Sequence, residues 1–161
     1  MRSLQVDSIS SMGGGHVDGA GKVVQYVETS DPDSPHITTD STSLVSTGIT
    51  LSITPKFIGS KICVDYKCSL AYVRYTSNVG REGMSVTLLE SGVQVLGDNG
   101  LGYLEAYDVN SFAPVVGQGV FTTINLNPLE FAVYARSHLG STVYPVYQTA
   151  SYILSATEIA Q

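Results

Sequence analysis

The sequence predicts an all-β domain, an antiparallel jelly-roll sandwich behind a short N-terminal arm. Three observations carry that expectation. About nine short segments rich in Val, Ile, Thr, Tyr and Phe are separated by clusters of Gly, Pro, Asn, Asp and Ser. The best of them alternate apolar and polar residues with a period of two. No window of a dozen residues sets apolar groups at helical spacing between credible caps.

In chain order, residues 1–20 form the arm. A short alternating piece (Leu4, Val6, Ile9) runs into the Ser- and Gly-rich joint SSMGGGHVDGAG. The β-domain is expected over residues 21–161. Its first strand, KVVQYVET, ends near Thr29 before the turn cluster DPDSP. Next, SLVSTGITLSIT alternates Ile49, Leu51 and Ile53 with Thr50, Ser52 and Thr54 and stops at Pro55. After the KFIGS turn, Ile62, Val64, Tyr66, Cys68, Leu70 and Tyr72 share one face of a long strand, and Cys63, Asp65, Lys67 and Ser69 share the other.

MSVTLLESGVQVLG reads as a hairpin, with strands near 84–89 and 93–96 and a loop of Glu90, Ser91 and Gly92. Residues 97–119 are rich in glycine and read as surface loops. VFTTINL, LEFAVYARS, STVYPVY and SYILSATEI close the set.

A chain of 161 residues suits one domain that buries roughly two-thirds of its unfolded surface, with no need for staples. The formal net charge is −6, with eight Lys and Arg, which argues against a phosphate-binding face and so against nucleic acid. The N-terminus lacks the apolar core of a signal peptide, and no segment has the length of a membrane span. A soluble protein made in the cytoplasm, with no membrane partner, is therefore expected.

Cys63 and Cys68 on one strand would lie roughly 16 Å apart, too far for a bridge and for joint metal ligation. Free thiols follow from that spacing. His16, His36 and His138 show no ligand spacing, and no metal or other cofactor is expected. Asp98, Glu105 and Asp108 are the one acidic cluster to consider for hydrolysis, although solvated loop acids explain them as well. No nucleophile motif is present, so an enzyme is the weakest class. Tyr103, Tyr107, Tyr144 and Tyr147, in or beside loops, are candidates for a receptor or partner contact; ordinary strand packing is the simpler alternative.

Several of these segments, GKVVQYV (21–27), TGITLSITPKFIGSKICV (47–64), STVYPVY and YILSATEIA, together resemble a family of bacteriophage fibre and virion-surface domains, as does the opening LQVDSI. The likeness consists of scattered anchors over 21–160, and residues 74–120 do not match. It implies a jelly roll assembled as a homotrimer on a phage particle, at a fibre tip or on the capsid surface. It transfers no catalytic motif, and marks Pro55, Ile62 and Val64 as structural. With so short an N-terminal segment, a capsid decoration or short head fibre is expected. Leu4, Val6 and Ile9 would anchor it by strand addition to a major capsid or other virion protein. The alternative is a receptor-binding tip that recognises a host surface glycan or protein through residues 97–119 and 139–149.

Overall fold

In the computed structural model the chain is an antiparallel β-sandwich. The structure describes residues 2–6 (backbone only), 21–32, 34, 36–74, 81–94, 96, 100–107 and 109–161. Twelve strands lie among them: β1 (Arg2–Val6), β2 (Val23–Asp31), β3 (Ile37–Thr39), β4 (Val45–Ile53), β5 (Lys61–Val73) and β6 (Arg81–Glu90), then β7 (Val93–Gln94), β8 (Gly102–Tyr107), β9 (Ser111–Thr122), β10 (Leu129–Ser137), β11 (Val143–Val146) and β12 (Tyr152–Ile159). The first sheet runs β1-β2-β12-β5-β9, with β11 and β3 continuing beside the C-terminal end of β5. The second runs β4-β10-β6, with β7 and β8 successively on the far edge of β6.

Alternation makes each sheet two-faced, and the apolar faces meet. Ile62, Val64, Tyr66 and Cys68 of β5 pack in one core with Ile49, Leu51 and Ile53 of β4, Met84, Val86 and Leu88 of β6, and Phe131 and Val133 of β10. Both cysteines are free; Cys68 is buried and Cys63 half-buried, as their odd spacing requires. Burial raises the Cys68 thiol's pKa.

The face predicted for β5 changes after Cys68. A register shift between Cys68 and Ala71 against β9 reverses the phase, so Ala71 and Val73 enter the core and Tyr72 turns to the outer side, opposite Phe112. The first strand extends to Asp31, two residues beyond its expected end. The hairpin turn is the two-residue Ser91-Gly92, both at positive φ (49° and 82°), since Glu90 and Val93 still pair.

Residues 97–119 are not the run of surface loops that their glycines suggest: β8 and most of β9 lie there. These glycines permit close approach instead of turns. A Cβ on Gly117 would sit 2.6 Å from the Leu101 Cα, where the preceding segment crosses the strand.

One buried acid fastens the β4–β5 turn to the last strand. Glu158 on β12 is fully buried, and its carboxylate accepts hydrogen bonds from Gln25 Nε2 (2.7 Å), the Lys56 amide (3.0 Å), the Phe57 amide (3.1 Å) and Ser60 Oγ (2.6 Å). Gln25 also donates to the Thr54 carbonyl at 2.7 Å, and Thr123 Oγ1 to the Phe57 carbonyl at 2.7 Å. Pro55 is buried within this turn.

Glu158→Ala leaves the turn amides without an acceptor inside the protein. It should lower unfolding stability by about 3 kcal/mol or more, read from urea denaturation, with Glu158→Gln losing less. Gly117→Val should cost ~1–3 kcal/mol in the same assay, because Leu101 has no room to yield.

Candidate functional site

The four tyrosines named from sequence fall into two separate groups, one on each sheet. Tyr103 and Tyr107 lie on β8, with Glu105 between them on the same face of the strand. That placement corrects the loop position expected for Glu105; Asp98 and Asp108 lie outside the described residues.

Across the ladder, Ser85, Gly83 and Arg81 of β6 pair with Tyr103, Glu105 and Tyr107. The bare Gly83 lets the Tyr103 ring lie over β6: an added Cβ would come 2.9 Å from the Tyr103 hydroxyl. Tyr103 and Arg81 both donate to Glu105 Oε1, and Tyr107 donates to Oε2 at 2.6 Å. The Arg81 guanidinium also lies 5.2 Å from the Tyr107 ring centre. Behind them Ser85 Oγ meets His138 Nε2 at 2.6 Å, and the His138 ring stands edge-on to Tyr103 at 5.0 Å. Ser85 is fully buried, which makes this pair a packing link and not an accessible nucleophile.

Hydrogen bonds from Tyr103, Tyr107 and Arg81 hold the Glu105 carboxyl down to about 2. Such a group is a fixed negative charge at neutral pH, with no proton to donate. Nearby, Glu82 is buried and accepts from the Gly83 amide, Ser137 Oγ and the Leu139 amide at 3.0–3.2 Å. Burial pushes its pKa up, but hydrogen bonds from Ser141, Gly83, Leu139 and Ser137 outweigh that and leave it below the ordinary range.

The second group is wholly aromatic. Tyr72 stacks on Phe112 at 4.5 Å and 15°, with Tyr144 at 5.1 Å and Tyr147 at 4.6 Å from Tyr72, and His36 at 5.2 Å from Tyr147. The β5 bulge turns Tyr72 outward, β11 sets Tyr144 beside it, and the Tyr147 amide is tied to the Leu70 carbonyl at 3.0 Å. Tyr72 and Phe112 were absent from the sequence candidates. The signal for Tyr72 was hidden by the bulge, and that for Phe112 by the loop assignment.

Phe112 also begins a row. On the outer side of β9, Phe112, Val116 and Val120 are 53%, 62% and 55% exposed, and β9 pairs only with β5 among the described strands. Of the arm candidates, Leu4 and Val6 lie on β1, opposite Glu28 and Tyr26 of β2 in the same chain. Ile9 lies outside the described residues, as does His16.

No protein family's profile matches the chain, and no curated protein matches it. Among solved structures, the C-terminal domain of EclA, described as a sugar-binding protein, is similar over 92% of this chain and 84% of that one, with a TM-score of 0.38 and 14% identity.

Glu105 and Glu82 both have lowered folded-state pKa values, so each stabilises the fold above the unfolded carboxylate's pKa of about 4.3 and loses that contribution as pH falls through its folded value. A carboxyl-detected NMR titration should put Glu105 near 2. Tyr103→Phe should move it upward, because the largest of its three stabilising bonds is gone.

Proposed function

We propose that this chain is a structural virion protein of a bacteriophage, a homotrimeric capsid decoration or short head fibre in which residues 1–20 serve as the attachment arm. The observation that carries the self-assembly is the apolar row Phe112, Val116 and Val120 on β9, uncovered and at an edge among the described residues. A twelve-residue edge leaves backbone donors and acceptors free to pair, and monomers normally shield such edges with charge, proline or a cover. Pro114 supplies one such guard, but the rest of the outer row lacks a Lys or Glu. Packing this row against other copies removes the exposed hydrophobic strip and shields the edge.

The phage assignment rests on the sequence resemblance, whose anchors are structural in this fold. Ile62 and Val64 are fully buried, Pro55 is buried, and Gln25, the PKFIGS turn and Glu158 form one network. The strand order β2-β12-β5-β9 facing β4-β10-β6-β8, with repeated crossings between the sheets, supports a jelly roll. The pairing of β1 with β2 supports the arm, since a strand that adds to its own sheet has the geometry to add to a neighbour's.

A receptor-binding tip is the second reading. Its support is the pair Tyr103 and Tyr107, 39% and 52% exposed around a fixed negative charge. By light scattering the wild-type protein should have three times the chain mass, and Val116→Asp with Val120→Asp should reduce it to one. Deleting residues 1–15 should abolish binding to purified particles if the chain is a decoration. An isolated tip would keep its binding to cells after the same deletion.

A further inference from the structure

The outer face of the second sheet carries a cleft unrelated to either tyrosine group. On β10 the outward row is Glu130, Ala132, Tyr134, and on β4 the row opposite is Ser52, Thr50, Ser46. Between the last two pairs β4 holds three residues against one on β10, a bulge in which Gly48 takes φ +79° and Thr47 Oγ1 donates to the Val133 carbonyl at 2.8 Å. The bulge breaks the flatness of the sheet. Ala132, the small residue midway between Glu130 and Tyr134, leaves the floor low, and the Ser91-Gly92 turn borders the cleft, whose volume is about 400 Å³.

We infer that this cleft is a saccharide-binding site selective for neutral or amino sugars. Its volume is within the range of small-ligand sites, roughly 300–1,000 Å³. Glu130 and Tyr134 stand four residues apart on one strand, about 13 Å, which spans a sugar ring with room for a neighbour. Tyr134 offers a ring face and a hydroxyl, Glu130 an acceptor, and Thr50 and Ser52 hydroxyls that both donate and accept. Among the described residues no intramolecular hydrogen bond engages the side chains of Thr50, Ser52, Glu130 or Tyr134, and Ser46 Oγ receives only the Gly48 amide. These groups therefore have free hydrogen-bonding capacity toward a polyhydroxylated ligand. Among the described residues no Lys or Arg lines the cleft, and Glu130 makes it negative, which disfavours sulfated, phosphorylated or sialylated sugars. The site is on the sheet opposite β9, so it stands or falls independently of self-assembly.

The test is an NMR titration of the full chain in solution with neutral, amino and anionic free oligosaccharides. Wild-type protein should bind neutral or amino glycans at about millimolar Kd, with shifts at Thr50, Ser52 and Ala132. Ala132→Phe, which fills the floor, should weaken binding at least tenfold. Thr50→Val, nearly isosteric at an exposed strand position, should weaken it severalfold with the fold intact by circular dichroism. Val116→Asp should leave the per-chain affinity unchanged even where it changes the mass in solution. Shifts with anionic oligosaccharides alone, no shift with any of the oligosaccharides, or affinity untouched by both cleft variants overturns the proposal.

Discussion

The geometry of this fold depends on one buried carboxylate. An ionisable group without solvent is costly unless its hydrogen-bond capacity is met, and Glu158 meets it with donors from two separate parts of the chain. Gln25 comes from the first long strand, Lys56, Phe57 and Ser60 from the turn between the sheets, and Glu158 from the last strand. A hydrophobic residue at 158 would bury as well, but would leave the turn amides unsatisfied and the crossing from β4 to β5 unspecified. The crossing fixes where β5 enters the first sheet, and β5 in turn pairs with β12, β11 and β9. Glu82 does similar work at the other sheet, binding the Gly83 amide on one side and Ser137 and the Leu139 amide on the other.

Against that frame, two bulges decide what the surfaces present. In an unbroken strand Tyr72 would share the inward face of Tyr66 and Cys68, and the ring cluster with Phe112, Tyr144 and Tyr147 would not exist. On the second sheet the bulge in β4 turns a flat ladder into the hydroxyl-lined cleft beside Tyr134. Both are backbone irregularities of one or two residues, small next to the sandwich that holds them. The first acts through a phase change that moves every later side chain to the opposite face; the second, two residues in excess, keeps the phase and distorts the ladder locally.

That also explains what could be read from the sequence and what could not. The all-β class, the alternation of β4 and of β5 as far as Cys68, the extent of β10 and the free thiols all follow from period two and strand reach, which are local properties. Residues 97–119 misled because glycine has two uses: it allows positive φ in turns, and it allows close contact within strands. Gly117 and Gly119 belong to the second kind, and only their neighbours, Leu101 and Phe121, reveal it. With that segment taken as loops, the row Phe112, Val116, Val120 lost its period-two meaning although its spacing was visible in FAPVVGQGV. Tyr103, Glu105 and Tyr107 were each candidates, but their shared strand face was hidden for the same reason. The partition of the tyrosines between sheets depends on strand order, a non-local property that spacing does not encode.

The two outer faces differ in chemistry, and the difference constrains how the proposed activities combine. The first sheet presents an aromatic cluster continuous with an apolar edge row; the second presents, at the cleft, a row of hydroxyls with one carboxylate and one tyrosine, and on β8 the row Tyr103, Glu105 and Tyr107. Hydrophobic contact between copies draws on the first surface, where dehydration is favourable. It gains little on the second, where hydroxyls and a carboxylate would have to give up water. An assembly built through β9 therefore leaves the cleft facing solvent on every copy. Several weak sites held at fixed separations on one particle bind a repeating glycan surface far more tightly than any one of them, so modest affinity per cleft is compatible with firm attachment. Under the two proposals, structural assembly and sugar recognition are sequential uses of opposite sheets, with the first setting the valency of the second.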